Sequence, residues 1–249
     1  MKQQYAGSLN EQVQTWAQAA CDQLFFTPQA LERRPLPPVH FARRIEHTLL
    51  RLDAQDQDVR RLCKEAIAHK FRSVCCLPRD VVECRRLLTG FDILVVTVIN
   101  FPLSSARTKL CALESQQAVA DGADELDYVL DVRALRSGKL EKVRDGVLNV
   151  VEAGGVPVKA ILETGLLTAE EMAHGAIAAE AGGACFVKTS TGFGPRGAEP
   201  LDVEVLRLAV QNRLGIKASG GIHTRESADR LVLAGADLIG TSHGPKLVS

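Results

Sequence analysis

Two lysines mark where this chain does chemistry. The first closes the apolar run Cys185-Phe186-Val187-Lys188 and opens directly into Thr189-Ser190-Thr191-Gly192. The second sits in Gly215-Ile216-Lys217-Ala218-Ser219-Gly220-Gly221, again followed by hydroxyl and glycine. Short apolar runs bounded by glycine read as buried strands. An ammonium in such a place needs a partner or a task, because unpaired burial of its charge is costly. A salt-bridged lysine at a strand end satisfies that need for either residue alone. Two of them on consecutive strand-like segments point instead to the walls of one active site.

The chemistry open to such a pair is attack on a carbonyl. An amine does this only as the free base, whereas a lysine ordinarily holds its proton up to about pH 10.4. Burial disfavours the ammonium, and so does a second ammonium nearby. Two unit charges about 6 Å apart at an effective dielectric near 20 repel by roughly 2–3 kcal/mol. That is about two pKa units, so one lysine of the pair becomes reactive near neutrality. Asp127, in Glu125-Leu126-Asp127, is the candidate to move protons at carbon and at hydroxyl oxygen, as aldol chemistry requires.

The elements that must position these residues recur regularly. Strand candidates centre on Ile45, Val74, Val95, Leu126, Ala160, Val187, Ile216 and Leu238, at the spacing of one βα unit. Helical patterns fill the gaps: 58–70, 80–88, 109–121, 140–153, 169–181, 203–212 and 225–233. Asp80, Thr168 and Thr224 are the predicted N-caps. A repeated phrase, Asp121-Gly122-Ala123-Asp124 and Ala234-Gly235-Ala236-Asp237, closes one helix and opens the next strand in two places. Eight such units imply a parallel (β/α)₈ TIM barrel, and 249 residues is the typical size. An open doubly wound sheet is the rival, but no GxGxxG follows any strand.

In a parallel barrel the active site lies at the C-terminal strand ends. Polar residues gather there: Glu46, His47, Thr48, Asn100, Asp127, Asp131, Lys159, Glu163, Lys188, Thr189, Thr191, Lys217, Ser219, Thr241, Ser242 and His243. Glycine turns after the last three strands (Gly192 and Gly194; Gly220 and Gly221; Gly240 beside Ser242) supply backbone N–H groups suited to a phosphate. Ordinary βα turns favour glycine too, but Gly220-Gly221 follows a lysine strand directly.

Composition sets the outer limits. Lys+Arg and Asp+Glu are equal at 30 each, so no net field draws the chain to nucleic acid or to an anionic membrane. No apolar run reaches the length of a membrane span, and the opening residues lack the apolar centre of a secretory signal. Seven cysteines without CxxC or Cys/His ligand spacing, Cys63, Cys75, Cys111 and Cys185 among them, read as buried thiols of a cytoplasmic protein rather than metal ligands. Residues 1–40 stand apart from the repeat, with an amphipathic helix over 10–24 that carries Trp16 and a Pro-rich connector at Arg33–Pro38. We expect this extension to pack against the barrel of 41–249, adding stability or a subunit contact and no chemistry.

From Ile45 onward the phrases fall in the order of a known family. They are Ile45-Glu46-His47-Thr48-Leu49, Ser73-Val74-Cys75, Asn100-Phe101-Pro102-Leu103 and Gly122-Ala123-Asp124-Glu125-Leu126-Asp127. Val158 to Thr164, Phe186 to Phe193, Lys217 to Gly221 and Gly240-Thr241-Ser242 continue the match. The chain resembles the deoxyribose-phosphate aldolases, metal-free class I aldolases. The resemblance implies a TIM barrel that cleaves 2-deoxy-D-ribose 5-phosphate to glyceraldehyde 3-phosphate and acetaldehyde without a cofactor. It implies Lys188 as Schiff-base nucleophile, with Lys217 and Asp127 as proton partners. Thr191, Gly192, Gly220, Gly221 and Ser242 would bind substrate and its phosphate, supported by Glu46, Thr48 and Lys159. It also implies a homodimer or homotetramer. The chain departs from the family pattern at Glu46 (often Asp), Leu77 (often Asn), His223 (often Arg) and His243 (often Ser). Two rivals remain: a class I barrel aldolase with another donor, and a catalytically silent phosphate-binding barrel.

Overall fold

The computed structural model describes residues 38–249, so the predicted helix over 10–24 and nearly all of the connector lie outside the described residues. A short helix α1 (Pro38–Ala42) leads into β1 (Ile45–Leu49). The other strands are β2 (Ser73–Cys76), β3 (Leu94–Ile99), β4 (Glu125–Val129), β5 (Val158–Ile161), β6 (Phe186–Lys188), β7 (Gly215–Ser219) and β8 (Leu238–Thr241). Each pairs in parallel with the next and β8 pairs with β1, giving a closed TIM barrel. All eight predicted strand centres fall inside these elements.

The intervening helices are α2 (Asp56–His69), α3 (Val81–Leu87), α4 (Thr108–Ala120), α5 (Val132–Arg136), α6 (Leu140–Gly154), α7 (Ala169–Ala181), α8 (Pro200–Val210), α9 (Arg225–Ala234) and α10 (Gly244–Val248). Thr168 and Thr224 cap α7 and α9 through their hydroxyls. Asp80 stands at the N-cap position of α3, but its carboxylate makes no cap bond, because Pro78 opens a 3₁₀ turn over Pro78–Asp80 that runs into the helix. Helix α8 begins three residues before the expected Val203, because Pro200 stands in its first turn. The eighth helix is one short turn, α10, which packs on α1 and α9 at the barrel seam.

The repeated Gly-Ala-Asp phrase has one structural job done twice. Asp124 accepts from the Val95 backbone N–H at 2.7 Å and from Arg85 of α3, while Arg85 also donates to the Gly122 carbonyl at 2.8 and 2.9 Å. Four strands later Asp237 accepts from Ile216 N–H at 2.8 Å and from Arg207 of α8 at 2.5 Å, and Arg207 donates to the Gly235 carbonyl at 2.8 Å. Both glycines hold positive φ, 108° and 124°, and a Cβ at Gly122 would come within 2.9 Å of the Arg85 side chain.

Strand alternation divides the apolar residues into two bodies. The larger lies between barrel and helices and includes Val74, Val95, Leu126, Ala160, Val187, Ile216 and Ile239. The smaller, Leu50, Cys75, Val96 and Val98 with Leu77 and Phe101 against it, lines the lumen on the β2–β3 side. Leu77 therefore serves as part of an apolar wall. Among the described cysteines five are buried; Cys185, expected in the core, is exposed at the start of β6. No helix among the described residues is long and apolar enough to cross a membrane.

Candidate active site

Side chains one register step apart on neighbouring strands share a face, and here that face is charged. Asp127 of β4 pairs in register with Lys159 of β5, and Lys188 of β6 with Lys217 of β7. All four are buried inside the barrel, together with Glu46 of β1 and Glu125 of β4. Lys188 Nζ donates to Asp127 Oδ2 at 2.8 Å, and Lys217 Nζ donates to the same oxygen at 2.7 Å. Lys217 also donates to Glu46. Lys159 Nζ lies 3.2 Å from Glu46, 2.6 Å from Glu125 and 3.1 Å from Asp127. Arg72 adds a fourth cation, 2.5 Å from Glu125 and 3.3 Å from Glu46.

Burial opposes every charge in this cluster, and the partners decide the outcome. Burial alone would raise the Asp127 carboxyl, but Lys159, Lys188 and Lys217 outweigh it and hold Asp127 well below the usual carboxylate range. Burial works against the Lys217 ammonium, yet Asp127 and Glu46 hold its proton more tightly than in water. Lys159 behaves likewise, through Asp127, Glu46 and Glu125. Burial pushes the neighbouring Cys75 thiol up to about 11, leaving it protonated at neutrality. Cys75, Glu46 and Asp127 are the one trio of candidate metal ligands among the described residues, with ligand atoms within 4.8 Å of one another. Lysine ammoniums already stand against those carboxylates, where a cation would have to sit.

Above the lysines a cleft of about 720 Å³ opens, lined by Lys188, Lys217, Thr48, Thr191, Gly192, Ser219, Gly220, Gly221, Ser242 and His243. Its floor is thus the charged cluster and its far rim the glycine turns. Thr191 is fixed by Glu163, which accepts from its backbone N–H at 3.2 Å and from its hydroxyl. Gly220 and Gly221 hold φ of 88° and 72°, which favour glycine in succession. The β6–α8 loop docks on them so closely that a Cβ at Gly197 would lie 2.1 Å from the Gly220 carbonyl oxygen. Phe101 and Phe193 meet edge to face across the mouth, their ring centroids 5.5 Å apart.

The geometry brings Lys188, Lys217, Asp127, Lys159 and Glu46 into direct contact, and puts Thr48, Thr191, Gly192, Gly220, Gly221 and Ser242 around the cleft above. Other strand-end polars have different tasks. The His47 ring pairs with Glu65 of α2 at 2.7 Å and meets Phe71 edge-on. Asp131 caps α5 and pairs with Lys142. Asn100, at φ 57°, ties the β3–α4 loop to Ala106 and Val129. Two members of the cluster escaped the sequence reading, Glu125 and Arg72. Glu125 was within reach, since it sits two residues before Asp127 and so on the same strand face.

Residues 41–244 match the family model of DeoC/LacD family aldolases. The deoxyribose-phosphate aldolase of Methanothermobacter thermautotrophicus is 42% identical over 205 residues, covering 82% of this chain and 92% of the relative. That of Thermotoga maritima is 44% identical over 205 residues, covering 82% and 83%. Among solved structures, a putative deoxyribose-phosphate aldolase from Coccidioides immitis superposes with a TM-score of 0.90 at 32% identity, covering 100% of this chain and 98% of that one. The tetrameric deoxyribose phosphate aldolase from Aeropyrum pernix gives 0.79 at 33% identity, covering 94% and 96%. With the closed barrel and the sequence match in agreement, this chain belongs to the DeoC/LacD family of aldolases.

Proposed function

We propose that the protein is a class I deoxyribose-phosphate aldolase whose nucleophile is Lys188. One observation carries the assignment. Four cations, Arg72, Lys159, Lys188 and Lys217, face three carboxylates, Glu46, Glu125 and Asp127, so charge balance leaves one proton in excess. Lys159 touches three of those carboxylates and Lys217 two, but Lys188 touches only Asp127, and it lines the cleft. Lys188 is thus the cleft-lining lysine with the fewest carboxylate partners.

In this reading the free Lys188 amine adds to C1 of open-chain 2-deoxyribose 5-phosphate, and the carbonyl oxygen leaves as water, giving an iminium. Removal of the C3 hydroxyl proton breaks the C2–C3 bond. The electron pair moves into the iminium to form an enamine, and glyceraldehyde 3-phosphate departs. Protonation at C2 and hydrolysis then release acetaldehyde and restore Lys188. Asp127, held as an anion, takes up and returns protons through bound water or hydroxyl, and Lys217 keeps it oriented and supplies the compensating charge. Gly192, Gly220, Gly221 and Ser242 receive the phosphate at the far rim, with Thr191 shaping the loop between. The β2–β3 wall of Leu50, Val96 and Val98 gives the acetaldehyde half an apolar flank.

Borohydride reduction in the presence of acetaldehyde tests this directly. A stable two-carbon adduct is expected on the peptide carrying Lys188; label on Lys217 alone reverses the assignment. Turnover of deoxyribose 5-phosphate that persists undiminished with chelator, and acetaldehyde rather than dihydroxyacetone phosphate as donor, separates this reading from its rivals. We further propose a homo-oligomer, as the Aeropyrum pernix relative is tetrameric, to be read by light scattering.

A further inference from the structure

Two histidines at the far rim of the cleft face each other. His223 follows β7 and His243 follows β8, and both line the cleft beside Gly221 and Ser242. Their Nδ1 atoms are 3.2 Å apart and their rings stand at 87°, centroids 4.6 Å apart. Ser242 Oγ lies 3.1 Å from the same His243 Nδ1. Two facing Nδ1 atoms at this distance share a hydrogen bond only when one of them carries hydrogen and the other does not. Two imidazolium rings would turn N–H against N–H.

The ionisable groups that act on His243 are all basic: His223 across the gap, Lys246 of α10 and His47 of β1. Glu65 of α2 is engaged by His47 at 2.7 Å, and no carboxylate is among the groups that act on His243. Burial, His223, Lys246 and His47 together hold the His243 imidazole below its ordinary range. An anion at this rim reverses the balance. It supplies the missing negative charge and offers each ring an acceptor other than its neighbour.

We propose that His223 and His243 form a proton-linked clamp for the phosphate of the substrate. Its dianion binds between the rings, both facing Nδ1 atoms become N–H donors to phosphate oxygens, and the pair takes up a proton from solvent. The proposal rests on the reading of this cleft as the site of a phosphorylated sugar. Its consequence is a phosphate preference that is complete at low pH and lost as pH rises through the bound-state titration of the pair.

The test is the ratio of kcat/KM for 2-deoxyribose 5-phosphate to that for unphosphorylated 2-deoxyribose, followed from pH 6 to 8.5. The wild type and the His223→Arg/His243→Ser variant are compared, so that the second ionisation of the phosphate itself, near pH 6, is common to both. The wild-type ratio should fall relative to the variant's by about tenfold for each pKa unit by which bound phosphate raises the pair. Parallel profiles overturn the clamp while leaving the phosphate reading intact. A ratio near one at every pH in both proteins overturns that reading, and the clamp with it. Should the variant fail to fold, calorimetric titration of wild type with glycerol 3-phosphate at pH 8, in buffers of different ionisation enthalpy, decides the matter. The ester is then already dianionic, so net proton uptake supports the clamp, and no uptake or proton release overturns it.

Discussion

Lys188 and Lys217 stand side by side in register on β6 and β7 and donate to one and the same oxygen of Asp127, at 2.8 and 2.7 Å. Removing Lys217 charge therefore changes the surroundings of Lys188 and Asp127 together. In Lys217→Met, kcat should fall roughly 10²- to 10⁴-fold with the far-ultraviolet circular dichroism unchanged. Turnover close to wild type in a folded variant would show that Lys217 is only a strut.

Asp127→Asn keeps the shape of the carboxylate and removes its charge. We expect imine trapping at Lys188 to slow and kcat to drop by roughly 10²-fold or more, while KM changes little. A large rise in KM at unchanged kcat would assign Asp127 to binding instead.

Lys159 is wholly buried against three carboxylates and lies behind the cleft. Lys159→Met removes the one cation of the four that touches all three carboxylates, a loss of about 3–5 kcal/mol when a buried ion pair is broken from one side. Urea unfolding measures it. A midpoint equal to wild type would mean that Arg72 and Lys217 can neutralise the cluster unaided.

Burial would raise the Glu125 carboxyl, but Arg72 and Lys159 hold it lower than usual, and Asp127 is held lower still. Groups with depressed folded-state values stabilise the fold above the unfolded-state pKa, about 3.9 for Asp and 4.3 for Glu. That stability is present in full at neutrality and drains away as pH falls through the folded-state values. The urea midpoint should decline steeply below about pH 4, and less steeply in Glu125→Gln. Identical acid slopes would remove Glu125 from the account.

Gly221 has room for a methyl group, since the nearest atom to an added Cβ lies 3.9 Å away, but its φ is 72°. Gly221→Ala therefore acts through the backbone, at about 1–2 kcal/mol for a left-handed residue. If the turn relaxes, KM for the phosphorylated sugar should rise roughly tenfold, and that for deoxyribose much less. Equal changes for both sugars would move the phosphate elsewhere.

The barrel was legible because its signals are local and repeated. Strand centres, helix periods and the hydroxyls of Thr168 and Thr224 are each decided within a few residues. Asp80 holds the expected N-cap position but without its side-chain bond, since Pro78 has already begun a 3₁₀ turn. The lysines were visible as charges inside apolar runs, but their partners were not equally so. Arg72 belongs to the cluster through contacts 53 residues away in sequence, with Glu125, which no periodicity announces. His47, read among the strand-end polars, does line the cleft, but strand alternation turns its ring to Glu65 on the helix side, a partner no local pattern announces.

The doubled arginine–aspartate fastening has a consequence for how this chain can be cut. One copy joins α3, β3 and the start of β4, and the other joins α8, β7 and the start of β8, four strands apart. Each half-barrel thus carries its own complete latch, and neither latch spans the β4–β5 junction. A nick placed between α5 and α6, near Gly138, severs no latch. The register pair of Asp127 and Lys159 is what such a nick would separate into two fragments. Reassembly of the two pieces, read by recovered lysine chemistry, would then report docking of the halves and not the folding of either one.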